Sequence, residues 1–257
     1  MIHPTSIVHS SAEIAESAEI GPYSVIGEGV TIGEGTKVAS HVVISGNTVI
    51  GRNCRIFQFA CIGEVPQDLK YSGEETWVII GDGNVIREYV TLHRASVHGD
   101  GKTQLGDENF LMAYCHVAHN CKIGNHVIMA NGATLGGHIE VEDHAILGGL
   151  TAAHQFVRIG THCIISGLTG IPKDIPPYTM AAGERARLYG LNTTGLKRHR
   201  FPEATLRSLK KAYRLLFRSK LPLTRAVQRV LNDEIASVPE VGHLIDFIRI
   251  SKRGICR

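Results

Sequence analysis

The chain has 257 residues, enough for one large domain or two modest ones, and 43% of them are hydrophobic. No apolar run approaches the roughly 18 residues of a membrane span, and the first fifteen residues carry no cationic-then-apolar leader, so a soluble, cytoplasmic protein without an integral membrane segment is expected. A formal charge of +3 is too small to indicate a nucleic-acid partner.

From Val8 onward an aliphatic residue returns every six positions: Val8, Ile14, Ile20, Ile26, Ile32, Val38, Ile44, Ile50, Ile56, Ile62. The series resumes at Ile80, Ile86 and Leu92, then at Leu105, and runs through Leu111, Val117, Ile123, Met129, Leu135, Val141 and Leu147. Ala153 is a weak member, and Ile159, Ile165 and Ile171 close it. Six is a multiple of the strand period of two, so each marked residue falls on the same side of an extended segment, whereas a helix would rotate it away. Turn-forming residues often follow the aliphatic, as in IGPYSV, IGEGVT and IGNHVI. Such a period marks a solenoid in which each unit buries its face only against its neighbours.

Two polar, turn-rich breaks interrupt the series. Residues 66–78 (PQDLKYSGEETWV) preserve the hexad phase, and residues 95–103 (ASVHGDGKT) shift it by one. Both are expected to project as loops, and a loop breaking a regular repeat is a place to look for function. Cys54, Cys115, Cys121 and Cys163 each lie four residues after a hexad aliphatic, which reads as reduced core cysteines in a cytosolic protein.

After Pro176–Pro177 the hexads stop, and the division falls at 1–180 for the solenoid and 181–257 for a helical tail. Leu206, Leu209, Ala212, Tyr213, Leu216 and Phe217 form an amphipathic stripe within a helix over 204–219 that follows Pro202. Thr224 is positioned to cap a second helix reaching Ser237, and residues 239–252 form a third. Basic residues crowd this tail, among them Lys197, Arg198, His199, Arg200, Arg207, Lys210, Lys211, Arg214 and Arg218. They suit a solvated face or a docking site for an acidic partner.

If three hexads close one turn, as in hexapeptide-repeat proteins, a full rung takes 18 residues. Position 119 then stacks beneath 137 and 155, which brings His119, the neighbour pair Gly137–His138 and the pair His154–Gln155 into one strip about 10 Å tall. His116 shares the rung of His119. Converging imidazoles admit two chemistries, general-base catalysis near neutral pH or a zinc site with an open position.

The motifs QDLKYSGE (67–74), HVAHNCKIGN (116–125), ATLGGHIEVED (133–143), GGLTAAHQF (148–156), DIPPY (174–178) and NTTGLKRHRF (192–201) resemble the UDP-N-acetylglucosamine acyltransferases that begin lipid A synthesis in Gram-negative bacteria. The resemblance spans the chain. It implies a mainly-β left-handed parallel β-helix with a C-terminal α-helical domain, assembled as a homotrimer with active sites between subunits. It further implies transfer of an (R)-3-hydroxyacyl chain from acyl carrier protein to the 3-hydroxyl of UDP-N-acetylglucosamine. No cofactor and no metal are implied; the donor is the carrier-protein thioester.

By the same resemblance His119 is the general base and the Gly137 backbone N–H the oxyanion donor. Asp68, Lys70, His116, His138, His154 and Gln155 match the sugar and nucleotide cleft. Asn192 and Arg198 match positions reaching the nucleotide, and Gly167 matches one that limits acyl length, its missing side chain favouring a longer acyl chain. Three residues depart from the family pattern: Asn120 where Asp is common, Thr194 where Glu is frequent, and His199 where a second Arg is frequent. An acceptor with a 3-amino group is therefore a variant to consider. Competing readings are a zinc-dependent, carbonic-anhydrase-like lyase on the same fold, which needs His119, His138 and His154 around one ion, and a non-catalytic scaffold.

Overall fold

A computed structural model describes every residue of the chain except His98, which falls in the second break. The hexads wind into a three-sided coil whose faces are parallel sheets. Ile7–Val8 starts the first face, Glu13–Ile14 the second and Glu19–Ile20 the third; Val25–Ile26 then returns to pair in parallel with Ile7–Val8. Most strands are two residues long, an outward residue followed by the inward aliphatic. Ile26, Ile44, Ile62, Leu92, Val117 and Leu135 stack as one inward column of the first face, each no more than 1% exposed. Burying one such side chain contributes about 1.5–3 kcal/mol before conformational entropy is counted.

Corners need a backbone that L-residues seldom adopt. Three residues after the inward aliphatic, Tyr114, Asn120, His126, His138, His144 and His162 all have φ between 53° and 64°. Left-handed backbone costs of order 1–2 kcal/mol per residue. Corner-to-corner hydrogen bonds offset it, as where His138 N–H donates to the His119 carbonyl at 3.0 Å and His144 N–H to the Asn125 carbonyl at 2.9 Å. Ring stacking up the corners adds to this, with Tyr89 on Tyr114 at 4.8 Å and His126 on His144 at 4.7 Å. The hexad cysteines 54, 115, 121 and 163 are free and buried. Burial pushes the Cys121 thiol up to about 12, and it donates to the Gly136 carbonyl.

Both loops leave the coil at the same corner, between the first and second faces, which is also the corner of His119 and Asn120. They lengthen single rungs, so that Cys61 pairs with Thr91 and Thr91 with His116. Each loop ends earlier than its sequence suggests. Trp77–Val78 pair with Asn47–Thr48 on one side and Lys102–Thr103 on the other, because a parallel ladder claims these residues whatever their polarity.

The tail begins with an antiparallel hairpin, Thr179–Ala182 and Arg187–Leu191, that extends the third face. Four helices follow: α1 (Thr193–Arg198), α2 (Glu203–Phe217), α3 (Leu223–Leu231) and α4 (Pro239–Ile250). Thr224 is inside α3 and does not cap it; Pro222 holds the cap position, and α3 stops at Leu231 before a 3₁₀ turn at Glu234–Ser237. The apolar stripes meet in a second core around Leu209, Ala212, Leu244, Ile245 and Phe247. The Arg158 guanidinium sits 4.4 Å above the Phe247 ring, and His243 of α4 meets Glu142 of the coil at 2.8 Å. Among the basic residues, Lys211 pairs with Asp233 and Lys197 with Glu203, while Arg198, Arg207 and Lys210 are exposed.

Candidate active site

His119 ends the strand-turn segment that starts at His116, and the coil stacks it directly under Gly137. A Cβ built on Gly137 would lie 2.5 Å from His119 Cε1 and 2.6 Å from Nε2, so only glycine lets the imidazole lie against the backbone here. Within the chain, the Gly137 N–H meets no acceptor among the described residues. A donor and a basic ring nitrogen therefore share one small space, as the 18-residue arithmetic requires.

The far side of the ring is fixed by Asn120. His119 Nδ1 lies 2.9 Å from Asn120 Oδ1, and the same oxygen accepts the Ser96 backbone N–H at 2.9 Å. A backbone N–H can only donate, so it identifies that atom as the amide oxygen. His119 Nδ1 must then carry the proton that faces it, which leaves the Nε2 lone pair aimed at the Gly137 side. A neutral amide thus selects the tautomer of a general base.

The two loops complete the site. Ser96 comes from the second and is fully buried. Asp68 of the first loop accepts the Lys70 N–H at 3.0 Å; this bond, then the Ser96 hydroxyl, then the nearby His119 hold its carboxyl below the usual range. Gln67, His116, Ala118, His119, Thr134, Gly136, Gly137, His154 and Gln155 line one open groove of about 420 Å³. His116 donates to or accepts from Thr91 Oγ1 at 2.7 Å, and burial beside His93 and His119 lowers its pKa to about 4. His138 packs edge-on to His119 at 5.2 Å and flat on Phe156 at 4.6 Å. Lys70 is exposed on the loop beside the groove.

The hexapeptide transferase model matches residues 11–46 and 102–137, and a model described as domain 2 of UDP-N-acetylglucosamine O-acyltransferase matches 174–256. A curated relative, the acyl-[acyl-carrier-protein]–UDP-N-acetylglucosamine O-acyltransferase of Thermodesulfovibrio yellowstonii, is 57% identical over 207 residues, 80% of each chain. Two solved structures superpose on the whole chain: LpxA of Acinetobacter baumannii (46% identity, TM-score 0.97, 99% of that chain) and UDP-N-acetylglucosamine O-acyltransferase (LpxA) of Moraxella catarrhalis (43%, 0.95, 99%). The chain belongs to the UDP-N-acetylglucosamine O-acyltransferase family.

Its fold is accordingly the left-handed parallel β-helix with a helical C-terminal region that the repeat and the resemblance led us to expect. Other residues with expected roles in this family lie outside the groove. Asn192 is buried as the N-cap of α1, its Oδ1 accepting the Gly195 N–H and its Nδ2 donating to the His162 carbonyl. Arg198 and Thr194 are exposed on the same short helix, and the departure at His199 sits at its C-cap. Gly167 lies at the corner between the third and first faces, beside the exposed Leu168 and Leu150. Between that corner and His119 the outward residues of the first face are small: Thr134, Ala152 and Gly170. Ser96 and Gln67 escaped sequence reasoning. The signal was present in the hexad phase, which sends both loops from the first face to the second, over His119.

The lyase reading requires three ligands around His119. Among the described residues, the group of three that approaches a common point is His144, His162 and His199, at another corner, and nothing in the comparisons supports a lyase.

Proposed function

We propose that this chain transfers an (R)-3-hydroxyacyl group from the thioester of acyl carrier protein to the 3-hydroxyl of UDP-N-acetylglucosamine, the first step of lipid A synthesis. The observation that carries the mechanism is the His119 imidazole lying against Gly137 with its Nδ1 tied to Asn120. His119 Nε2 accepts the proton of the sugar hydroxyl as its oxygen attacks the thioester carbonyl carbon. Negative charge develops on the carbonyl oxygen, which the Gly137 N–H receives. The C–S bond then breaks, and the imidazolium returns its proton to the departing thiolate. No cofactor enters these steps.

Asp68 and Lys70 on the first loop hold the sugar, with His116, His138, His154 and Gln155 lining its path to the nucleotide. Arg198 is exposed at a different corner from His119, which supports its acting on the groove of an adjacent copy in a homotrimer; Asn192, its amide committed to capping α1 and to the His162 carbonyl, positions the helix that carries Arg198. A guanidinium there suits a diphosphate. The exposed cations of the tail supply the docking face for the carrier protein. The small outward residues of the first face lead the acyl chain toward Gly167. A cytoplasmic setting is part of the same reading; among the described residues no helix is long and apolar enough to cross a membrane.

The test is an acyl-transfer assay with purified protein, a ladder of 3-hydroxyacyl carrier-protein donors, and 3-hydroxy and 3-amino nucleotide sugars. The expected preference is for the 3-hydroxyl acceptor. His119→Ala is expected to lose at least about a hundredfold in turnover. Near-wild-type turnover of that variant would remove His119 from the reaction.

A further inference from the structure

At the corner between the second and third faces, three histidines close on one point. His144 and His162 stack 4.6 Å apart as successive corner residues, and His199, at the C-cap of α1, crosses both rings at 4.7 and 4.6 Å. The three centroids form a near-equilateral triangle, and one ligand nitrogen from each residue lies within 4.8 Å of the others. None of the three rings hydrogen-bonds to another group of the chain among the described residues. This cluster takes no part in the chemistry assigned to His119.

We propose that His144, His162 and His199 form a binding site for a zinc-class divalent cation that fastens helix α1 to the coil.

The site is built from both ends. Asn192, the N-cap of α1, donates to the His162 carbonyl at 2.9 Å, so the helix that carries His199 is already pinned to the rung carrying His162. His199 N–H donates to the Gly195 carbonyl, which fixes the C-cap over the ladder. Phe201 packs edge-on against His162 at 5.0 Å and walls one side. Zinc bonds to imidazole nitrogens at about 2.0–2.1 Å, which places three such nitrogens about 3.4 Å apart around a tetrahedral ion, with a fourth position for water. The contraction needed is at most about 1.4 Å. Histidine χ2 is a broad torsion, so re-aiming the rings toward a shared ion costs little.

The experiment uses the untagged full chain, stripped with chelator and titrated with zinc by calorimetry and with cobalt by visible absorption. The expected result is one equivalent per chain, tetrahedral-type cobalt bands, and a rise in Tm on adding zinc. His199→Ala changes an exposed side chain, and His144→Phe keeps an aromatic ring in the corner stack. Each is expected to weaken binding by at least about a hundredfold and to abolish the zinc-dependent Tm rise. His119→Gln is expected to retain the equivalent. Failure of the wild-type chain to take up zinc would overturn the proposal. So would binding unchanged in both corner variants, or lost in His119→Gln, since the ion would then sit elsewhere.

Discussion

Adding one methyl group at Gly137 tests the geometry of the base most directly. The new Cβ would stand 2.5 Å from His119 Cε1 and 2.6 Å from Nε2. An ordinary carbon contact begins near about 3.5 Å, so the ring must retreat by about an ångström. It has nowhere to go without loss, because Nδ1 is held at 2.9 Å by Asn120 and the ring edge packs on His138. Displacement of a reacting group by about 1 Å typically costs about 10² in rate. Gly137 is not among the residues with positive φ, so alanine fits its backbone, and the N–H assigned to the oxyanion is kept. Steady-state acyl transfer by Gly137→Ala should therefore show kcat reduced about a hundredfold with KM nearly unchanged. A thermal melt run in parallel should stay within about 4 °C of wild type, the shift expected for about 1 kcal/mol in a chain of this size. Turnover within about threefold of wild type would mean that the ring does not work from where it lies, and the base assignment would fail.

Other outcomes follow from neighbouring contacts. Asn120→Ala removes the acceptor of both His119 Nδ1 and the buried Ser96 N–H, so turnover should fall by about 10–100-fold and stability by about 1–3 kcal/mol, read by assay and denaturant titration. Gly167→Met should shift preference toward shorter acyl donors; its Cβ already comes within 3.1 Å of the Gly149 carbonyl oxygen, and an unchanged chain-length profile would refute the assignment. Protonating half-buried His116 and His162, both at about 4 in the fold against 6.5 for the free group, is harder in the folded chain. Stability should therefore decline as pH falls from about 6.5 toward about 4, and His162→Phe should flatten that decline in Tm measured against pH. The opposite sign holds at His243, whose pKa is raised first by its bond to Glu142. Its contribution is complete below 6.5 and disappears as pH rises through the raised value, so His243→Gln should cost more Tm at acidic than at alkaline pH.

The coil was legible because its burial rule is one-dimensional. A side chain at Ile62 or Val117 has a single inward direction, and a period of six states it openly. The stacking of His119 under Gly137 followed from the same count. The tail is different, since helix limits there depend on which turn packs against which. Thr224 is a plausible cap by chemistry, yet Pro222 starts the helix, and the short α1 carries too few apolar positions to announce itself. The loop ends moved for a similar reason: Trp77 and Lys102 look like loop residues until neighbouring strands supply ladder partners. Ser96 was invisible as chemistry, because a serine in a polar loop carries no mark of being fully buried beside a base.

An asparagine at 120, where the resemblance leads one to expect aspartate, also changes what must support the histidine. A carboxylate accepts a proton-bearing nitrogen from either of two equivalent oxygens, so its orientation is immaterial. An amide offers one oxygen and one NH₂, and the wrong face would present a donor to His119 Nδ1 and force the proton onto Nε2. That tautomer has no lone pair left for the sugar hydroxyl. The amide therefore needs a second contact that breaks its symmetry, and the Ser96 backbone N–H, delivered by a loop inserted one rung away, is that contact. The second loop thus belongs to the base itself: its backbone chooses the amide face, the amide chooses the tautomer, and the tautomer leaves Nε2 free against Gly137.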